Sequence, residues 1–184
     1  MRLILVGERN FPAPRRHAGA LIHGPGMPIP AVEMNRQSSF DEHDRLAALR
    51  AYGVLDTPPV EGFDELARLA AHVCRTPISL IDFVDADRVW VKASVGLPLS
   101  EIPRDGSFAE RVVANGGLTM VADARADDRL ALASFVIGEP YVRFCAGVPL
   151  LTEEGLPVGT LTVMDPQPSS LSAEAVAGLS ALCR

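Results

Sequence analysis

The chain has 184 residues, of which 48% are hydrophobic and only 5% aromatic, so one domain with a mainly aliphatic core is expected. It contains no apolar run of about 18 residues and no recognisable export signal, which argues against a membrane span and predicts a cytoplasmic protein. The net charge is −6; residues 1–36 carry five arginines and two glutamates, so this +3 segment leaves −9 on the remainder. So acidic a domain is not expected to bind nucleic acid or a membrane surface.

Residues 1–37 differ in composition from the rest of the chain. The first 36 residues contain five prolines and four glycines, which prevent a sustained helix or central strand. We therefore predict a flexible leader over residues 1–37 and a folded domain over residues 38–184.

Two helices are predicted at the start of the domain. Acidic residues from Asp41 onwards suit the first turn of a helix, and Gly53 can end it. Apolar residues at helical spacing, among them Phe63, Leu66 and Ala70, predict a second helix over residues 60–75.

Strand patterns follow. Residues 78–84 and 89–95 predict a hairpin in which Val89, Val91, Ala93 and Val95 share one face. A short helix over 107–114, a strand over 118–122 and a helical turn over 127–133 are expected next. Residues 141–151 and 158–164 predict a second hairpin, and a final helix begins near Ser172. Two hairpins with flanking helices indicate an α+β domain, and the long connection over residues 96–140 is suited to a functional pocket.

Several strings in this order resemble GAF domains of bacterial signalling proteins. The strings occupy residues 45–58, 63–70, 78–93, 123–129, 143–150 and 159–165. Each string is moderate evidence, and their order and spacing together make the resemblance specific. It covers the chain from about Asp41 to its end.

The resemblance implies a central antiparallel sheet of about six strands, with the N- and C-terminal helices on one face. It also implies a pocket for an unidentified small molecule on the other face, among short helices and loops, and a homodimer formed through the terminal helices. Related domains are attached to histidine kinases, as in two-component systems, or to diguanylate cyclases. We therefore expect a regulatory sensor that is not itself an enzyme.

The residues that would identify a ligand or cofactor depart from the family patterns. Residues 107–111 lack the cysteine and histidine common at this short helix, which leaves no Cys-His pair for a bilin anchor. The Asn-Lys-Phe-Asp-Glu signature of cyclic-nucleotide-binding members is also missing. The cofactor is therefore unknown, and no metal-ligand spacing is present. Two alternatives stay open: a free methionine-R-sulfoxide reductase-like enzyme, and a sensor carrying bilin or haem.

Nine residues are candidate ligand contacts. They are Trp90, Lys92, Arg104, Ser107, Phe108, Asp123, Tyr141, Arg143 and Cys145. Trp90 and Lys92 share a predicted strand face that would suit an anion, although a lysine stem covering a tryptophan is equally physical. Arg104, Ser107 and Phe108 lie where a helix N-terminus can bind an anion, with simple capping as the alternative.

The remaining candidates lie in the connector and the second hairpin. Asp123 can accept a hydrogen bond from a ligand or pair with Arg129. Tyr141, Arg143 and Cys145 alternate along one predicted strand, so they would line the pocket together if that face is open. Cys145 is reactive only if it is exposed beside a cation, and a buried thiol is the alternative.

Overall fold

The computed structural model describes residues 40–183, so the predicted leader over residues 1–37 lies outside the described residues. Five α-helices and six strands occur within this range. The helices are α1 (Glu42–Tyr52), α2 (Glu61–Cys74), α3 (Phe108–Asn115), α4 (Ser134–Ile137) and α5 (Ala173–Ala181). The strands are β1 (Ile78–Val84), β2 (Arg88–Val95), β3 (Glu101–Pro103), β4 (Thr119–Val121), β5 (Phe144–Leu151) and β6 (Pro157–Asp165). None of the helices in residues 40–183 has both the length and the apolar character that crossing a membrane requires.

All six strands form one open sheet in the order β3-β2-β1-β6-β5-β4, and every neighbouring pair is antiparallel. The predicted sheet of about six strands is confirmed. β1 and β6 are the central pair, with Asp82 opposite Thr160. The two hairpins, β1-β2 and β5-β6, were visible in the alternating sequence, whereas the three-residue strand β3 was not predicted.

Helices cover both faces of this sheet. One core lies between the sheet and helices α1, α2 and α5, with Leu49, Ala70 and Leu179 as buried members. The opposite core contains Phe108 and Val112 of α3, together with buried residues of the connector. The N- and C-terminal helices therefore share one face, as predicted, and the short helices lie on the other.

Capping explains where α1 begins and ends. The Asp41 side chain accepts a 2.7 Å hydrogen bond from the His43 N–H and a second from Asp44, which satisfies N–H groups that have no partner inside the helix. Gly53 ends the helix in the left-handed region at φ 59°, where a side chain would be strained.

A β-bulge changes the predicted facing of β2. Ile81 pairs with Ala93 and Asp82 with Val91, so Lys92 is the extra residue. Val91 packs on the α3 side, whereas Ala93 packs against the core beneath α2. The prediction that Val91 and Ala93 share a face is therefore wrong, because the bulge interrupts the two-residue period.

The connector between the hairpins also differs in detail from the prediction. The helical turn predicted over 127–133 is present, since the Ala131 N–H donates to the Asp127 backbone oxygen at 2.9 Å, but the short helix α4 that follows it was not predicted. Tyr141 and Arg143 precede β5, which begins at Phe144. Tyr141 has φ 57°, a left-handed conformation that is incompatible with an extended strand.

Candidate functional site

A cavity of about 420 Å³ lies on the sheet face opposite α1, α2 and α5. Its floor comes from β1 and β6, one wall from the start of α3, and the rest from the connections that flank β3 and α4. The lining residues used below are Leu80, Asp82, Asp105, Ser107, Phe108, Ala109, Arg129, Leu132, Ala133, Phe135, Glu139, Thr162 and Met164. This volume is within the range of small-molecule sites.

The cavity floor contains a short chain of buried polar groups. The Thr160 hydroxyl donates to Oδ1 of Asp82 at 2.8 Å, and the Thr160 and Thr162 hydroxyl oxygens are 2.9 Å apart. Asp82 is only 3% exposed. Burial raises the pKa of Asp82 to about 7, and the hydrogen bond from Thr160 opposes that rise only in part. The floor can therefore hold either a neutral or an ionised carboxyl group near neutral pH.

Apolar side chains surround this polar floor. Phe108 is buried at the start of α3, and Leu80 and Met164 are buried on β1 and β6. Phe135 of α4 contributes from the side of the mouth. A cavity with apolar walls and a few fixed polar groups binds a ligand by burying its apolar surface and orients it by hydrogen bonds.

Charged residues line the mouth of the cavity. Asp105 precedes α3, Arg129 lies in the turns before α4, and Glu139 lies between α4 and β5; all three are exposed. The turn that carries Arg129 is held by Asp127, whose Oδ1 accepts from the Arg129 and Leu130 N–H groups. Counting Asp82, the cavity has three acidic side chains and one basic one, so its lining is acidic.

Ser107 and Phe108 are the two predicted contacts that line this cavity. Ser107 is the N-cap of α3, and its Oγ accepts from the Glu110 N–H at 3.1 Å. Of the two predicted roles of Ser107, the structure shows helix capping. Phe108 supplies apolar wall.

Arg104 lies outside the cavity lining and connects three segments. Its guanidinium bonds to the carboxylates of Glu42 at 2.6 Å and Glu110 at 3.1 Å, and to the backbone oxygen of Asp85 at 3.1 Å. Arg104 thus joins the first turn of α1 to the first turn of α3. Its donors are directed to these groups, away from the anion site that the sequence suggested.

Trp90 and Lys92 lie on the face of the sheet that α1, α2 and α5 cover, away from the cavity. The Lys92 ammonium group donates to the Pro58 backbone oxygen at 2.7 Å and lies 5.8 Å from the centre of the Phe63 ring. The Arg88 guanidinium covers the Trp90 ring at 5.3 Å. The predicted anion contact at Lys92 is replaced by hydrogen bonds to the α1–α2 connection, because the bulge directs this side chain under α2.

Asp123 and Arg143 form an ion pair with each other. Nε and a terminal nitrogen of Arg143 contact the two carboxylate oxygens of Asp123 at 2.7 and 2.5 Å. The Arg143 guanidinium lowers the pKa of Asp123. The suggested pairing of Asp123 with Arg129 is wrong, because Arg129 lies at the cavity mouth instead.

Tyr141, Arg143 and Cys145 do not form a common pocket wall. Tyr141 is 48% exposed outside β5, and Arg143 is engaged with Asp123. Cys145 is fully buried in β5, and burial raises the pKa of its thiol to about 12. Of the two readings of Cys145, the structure shows the buried thiol, which is unsuited to act as a nucleophile.

Sequence reasoning missed the polar floor. Asp82 is the single acidic residue inside the otherwise mainly apolar strand β1, a pattern that indicates a buried carboxyl group with a specific partner. Thr160 and Thr162 alternate with Leu161 and Val163, which marks them as facing the same way. The register that brings Asp82 opposite Thr160 depends on the fold and was not readable from either strand alone.

Among residues 40–183, no group of three or more His, Cys, Asp or Glu side chains is placed to hold a metal ion. The described histidines, His43 and His72, do not line the cavity.

Comparison with known proteins places these features in a family. The family model described as GAF domain matches residues 58–184. A cyclic di-GMP phosphodiesterase of Pseudomonas aeruginosa is 41% identical over 134 residues, which cover 73% of this chain and 23% of that protein. The chain therefore spans about a quarter of the length of this curated relative.

Solved structures share the fold at low sequence identity. The GAF domain of a phosphoenolpyruvate-protein phosphotransferase from Acinetobacter matches with a TM-score of 0.58 and 20% identity, covering 77% of this chain and 87% of that one. A type II free methionine-R-sulfoxide reductase from Thermoplasma acidophilum matches with a TM-score of 0.58 and 16% identity, covering 74% of this chain and 90% of its own. These likenesses support the architecture alone. The GAF family model matches most of the chain, and the six-stranded antiparallel sheet agrees with that match. The chain therefore belongs to the GAF domain family.

Proposed function

We propose that this GAF domain is a regulatory module that binds a small molecule in the cavity and is not itself an enzyme. The observation that carries the proposal is a 420 Å³ cavity with a buried polar floor, on the sheet face opposite the terminal helices. Ligand binding stabilises whichever arrangement of the domain binds it better, and so it can bias the terminal helices.

A direct contact path supports this coupling. Ser107 and Phe108 line the cavity, and Arg104 just before them bonds to Glu42 in the first turn of α1. Glu42 also accepts two hydrogen bonds from Arg45, at 2.7 and 2.8 Å. A ligand that shifts the start of α3 therefore acts on α1 through two arginines and one carboxylate.

The terminal helices are the proposed route of output. α5 packs closely on α2, where a Cβ at Gly178 would lie 2.6 Å from Cγ1 of Val73. Leu69 of α2 is 46% exposed, which is consistent with a homodimer formed through the helical face. The proposed setting is the bacterial cytoplasm.

The proposed output belongs to nucleotide second-messenger signalling. The relative with 41% identity is a cyclic di-GMP phosphodiesterase, and the match extends over 73% of this chain. We therefore favour an attached or separate domain that makes or degrades cyclic di-GMP over a histidine kinase.

Ligand retention tests the proposal. The purified chain is incubated with a small-molecule extract of bacterial cells, separated from unbound material by gel filtration, and weighed by native mass spectrometry. Ala133→Trp places an indole in the cavity mouth, whereas Ala122→Trp makes the same change at an exposed position outside the lining. We expect a bound mass on the unsubstituted chain and on Ala122→Trp, and none on Ala133→Trp.

Hydrogen exchange then tests coupling to the helices. With the retained molecule bound, amides of α1 and α5 should exchange at a different rate than in the free chain. A chain that retains no molecule, or whose α1 and α5 amides do not respond to a retained one, would contradict the proposed sensor role.

A further inference from the structure

We propose that the cavity binds a small organic cation with an apolar body, placing its positive nitrogen against Asp82 and its body against Phe108, Leu80 and Met164. This inference rests on the proposed function and specifies the ligand class for the same cavity.

Within the described part of the chain, Asp82 has no positively charged partner. Among residues 40–183, no lysine or arginine forms a salt bridge with it, and its side-chain partner is the neutral Thr160. An ionised carboxylate buried without a counter-charge is costly, because burial removes its hydration. A ligand that carries a positive charge to this point would stabilise the ionised form, since an opposite charge at short distance favours it.

The charges around the floor favour the same ligand. The ionisable groups that face the cavity from the surrounding segments are Asp105, Arg129 and Glu139, all at the mouth. Close to Asp82, β2 presents Val91, β6 presents Thr160, and the wall at the start of α3 presents Phe108 and Ala109. Two acids against one arginine at the mouth attract a cation and oppose the entry of an anion.

The shape of the site also restricts the ligand. The carboxyl group lies at the bottom, 3% exposed, while the walls above it are apolar. A strongly hydrated inorganic cation would lose water against these walls without gaining ligands, and no metal-binding group of side chains occurs in residues 40–183. A flat or slender organic cation, such as an amidinium or an alkylammonium carrying a ring, can place its charge against the Asp82 carboxyl group and its apolar body against the walls.

Matched small probes test the inference. Benzamidine is a planar cation, benzamide is nearly the same shape but neutral, and benzoate is the corresponding anion. Binding of each is measured by chemical-shift titration at pH 8 and pH 6. We expect benzamidine to bind about tenfold or more tightly than benzamide at pH 8, and benzoate not to bind.

Two substitutions identify the residue responsible. Asp82→Asn should remove the preference for benzamidine over benzamide, whereas Asp87→Asn, the same change in an exposed turn outside the cavity, should retain it. The pKa of Asp82 is about 7, so benzamidine should bind roughly tenfold more weakly at pH 6 than when Asp82 is fully ionised. Benzamide binding should vary little with pH.

Three results would overturn the inference: equal binding of benzamidine and benzamide, a preference that persists in Asp82→Asn, or no binding of benzamidine at all. None of them decides the proposed function, which depends on whether Ala133→Trp abolishes retention of a cellular molecule. A retained neutral molecule, for example, would contradict the inference and leave the sensor role standing.

Discussion

Asp82 and Thr160 face each other across the central strands β1 and β6, and the Thr160 hydroxyl donates to Oδ1 of Asp82 at 2.8 Å. These residues are 78 positions apart in the chain, so the contact exists only in the folded protein. A buried carboxyl group whose hydrogen-bond partner is the neutral Thr160 has consequences for how the stability of the domain depends on pH.

The first consequence is a stability that falls as pH rises. Burial raises the pKa of Asp82 from its ordinary 3.8 to about 7. Between these values the folded protein retains a proton that the unfolded chain has released, so the contribution of this group to stability is present below about pH 4 and is lost as pH rises through 7. The difference corresponds to roughly 4 kcal/mol as an upper limit.

Asp82→Asn removes this titration. Urea unfolding of both proteins at pH 5 and pH 8 should show that the variant gains stability relative to the unsubstituted chain at the higher pH. The test compares how the difference in unfolding free energy between the two proteins changes from pH 5 to pH 8. A pH-independent destabilisation by the asparagine amide cancels in that comparison. A stability difference that is the same at both pH values would contradict the raised pKa.

Arg45 is expected to be one of the most sensitive charged positions. It is fully buried, donates to the Val84 backbone oxygen at 2.6 Å and forms a salt bridge with Glu42. Arg45→Ala leaves that buried oxygen without its partner and opens space beside β1, which should cost about 3 kcal/mol. Arg50→Ala on the exposed side of the same helix should change stability by about 0.5 kcal/mol or less. Urea unfolding measures both; equal small effects would show that the Arg45 contacts contribute little.

The contact between α2 and α5 can be tested at Gly178. A Cβ there would lie 2.6 Å from Cγ1 of Val73, so Gly178→Ala must shift either the Val73 side chain or one of the two helices. We expect a net loss of about 1–2 kcal/mol despite the better helix propensity of alanine. Gly62→Ala, where no atom lies within 4 Å of the added carbon, should instead stabilise by about 0.5–1 kcal/mol.

A second substitution tests whether the clash is the cause. Val73→Ala removes the clashing methyl group, so its combination with Gly178→Ala should be less destabilising than the sum of the two single changes. Thermal unfolding of the four proteins completes the cycle. Strict additivity would indicate that Gly178 is required for some other reason.

Cys145 should be inert in the folded protein. The thiol is fully buried and its pKa is raised to about 12 by burial, so it is almost wholly protonated at pH 8. We expect an aromatic disulfide reagent to react with it only after denaturant is added. In a methionine sulfoxide reductase assay, Cys145→Ser and the unsubstituted chain should both lack turnover; cysteine-dependent turnover would contradict the non-enzymatic proposal.

Much of the fold was predictable because it depends on local patterns. Helical spacing located α2, and apolar runs, continuous in β1 and alternating in β5, located the hairpins, since each pattern is contained within one element. The bulge at Lys92 was not predictable, because its position is set by pairing with β1. That single inserted residue directed Lys92 under α2, away from the cavity.

The candidate site was less predictable than the fold. Ser107 and Phe108 were found because a helix start is visible in the sequence. Arg104, Asp123 and Arg143 were selected for their charge, yet each is engaged by a distant partner. Asp82 and Thr160 become a site only when two strands lie side by side, which is a property of tertiary register.

The alternation of β6 separates two tasks along one strand. Thr160, Thr162 and Met164 face the cavity side, while Leu161 and Val163 belong to the core beneath the helices. Substitution of the cavity-facing residues can change the lining of the cavity without altering the sheet face against which α1, α2 and α5 pack. If the proposed sensor role holds, such a strand allows the ligand class to change by substitution on one face while the packing of the helices on the other face is kept.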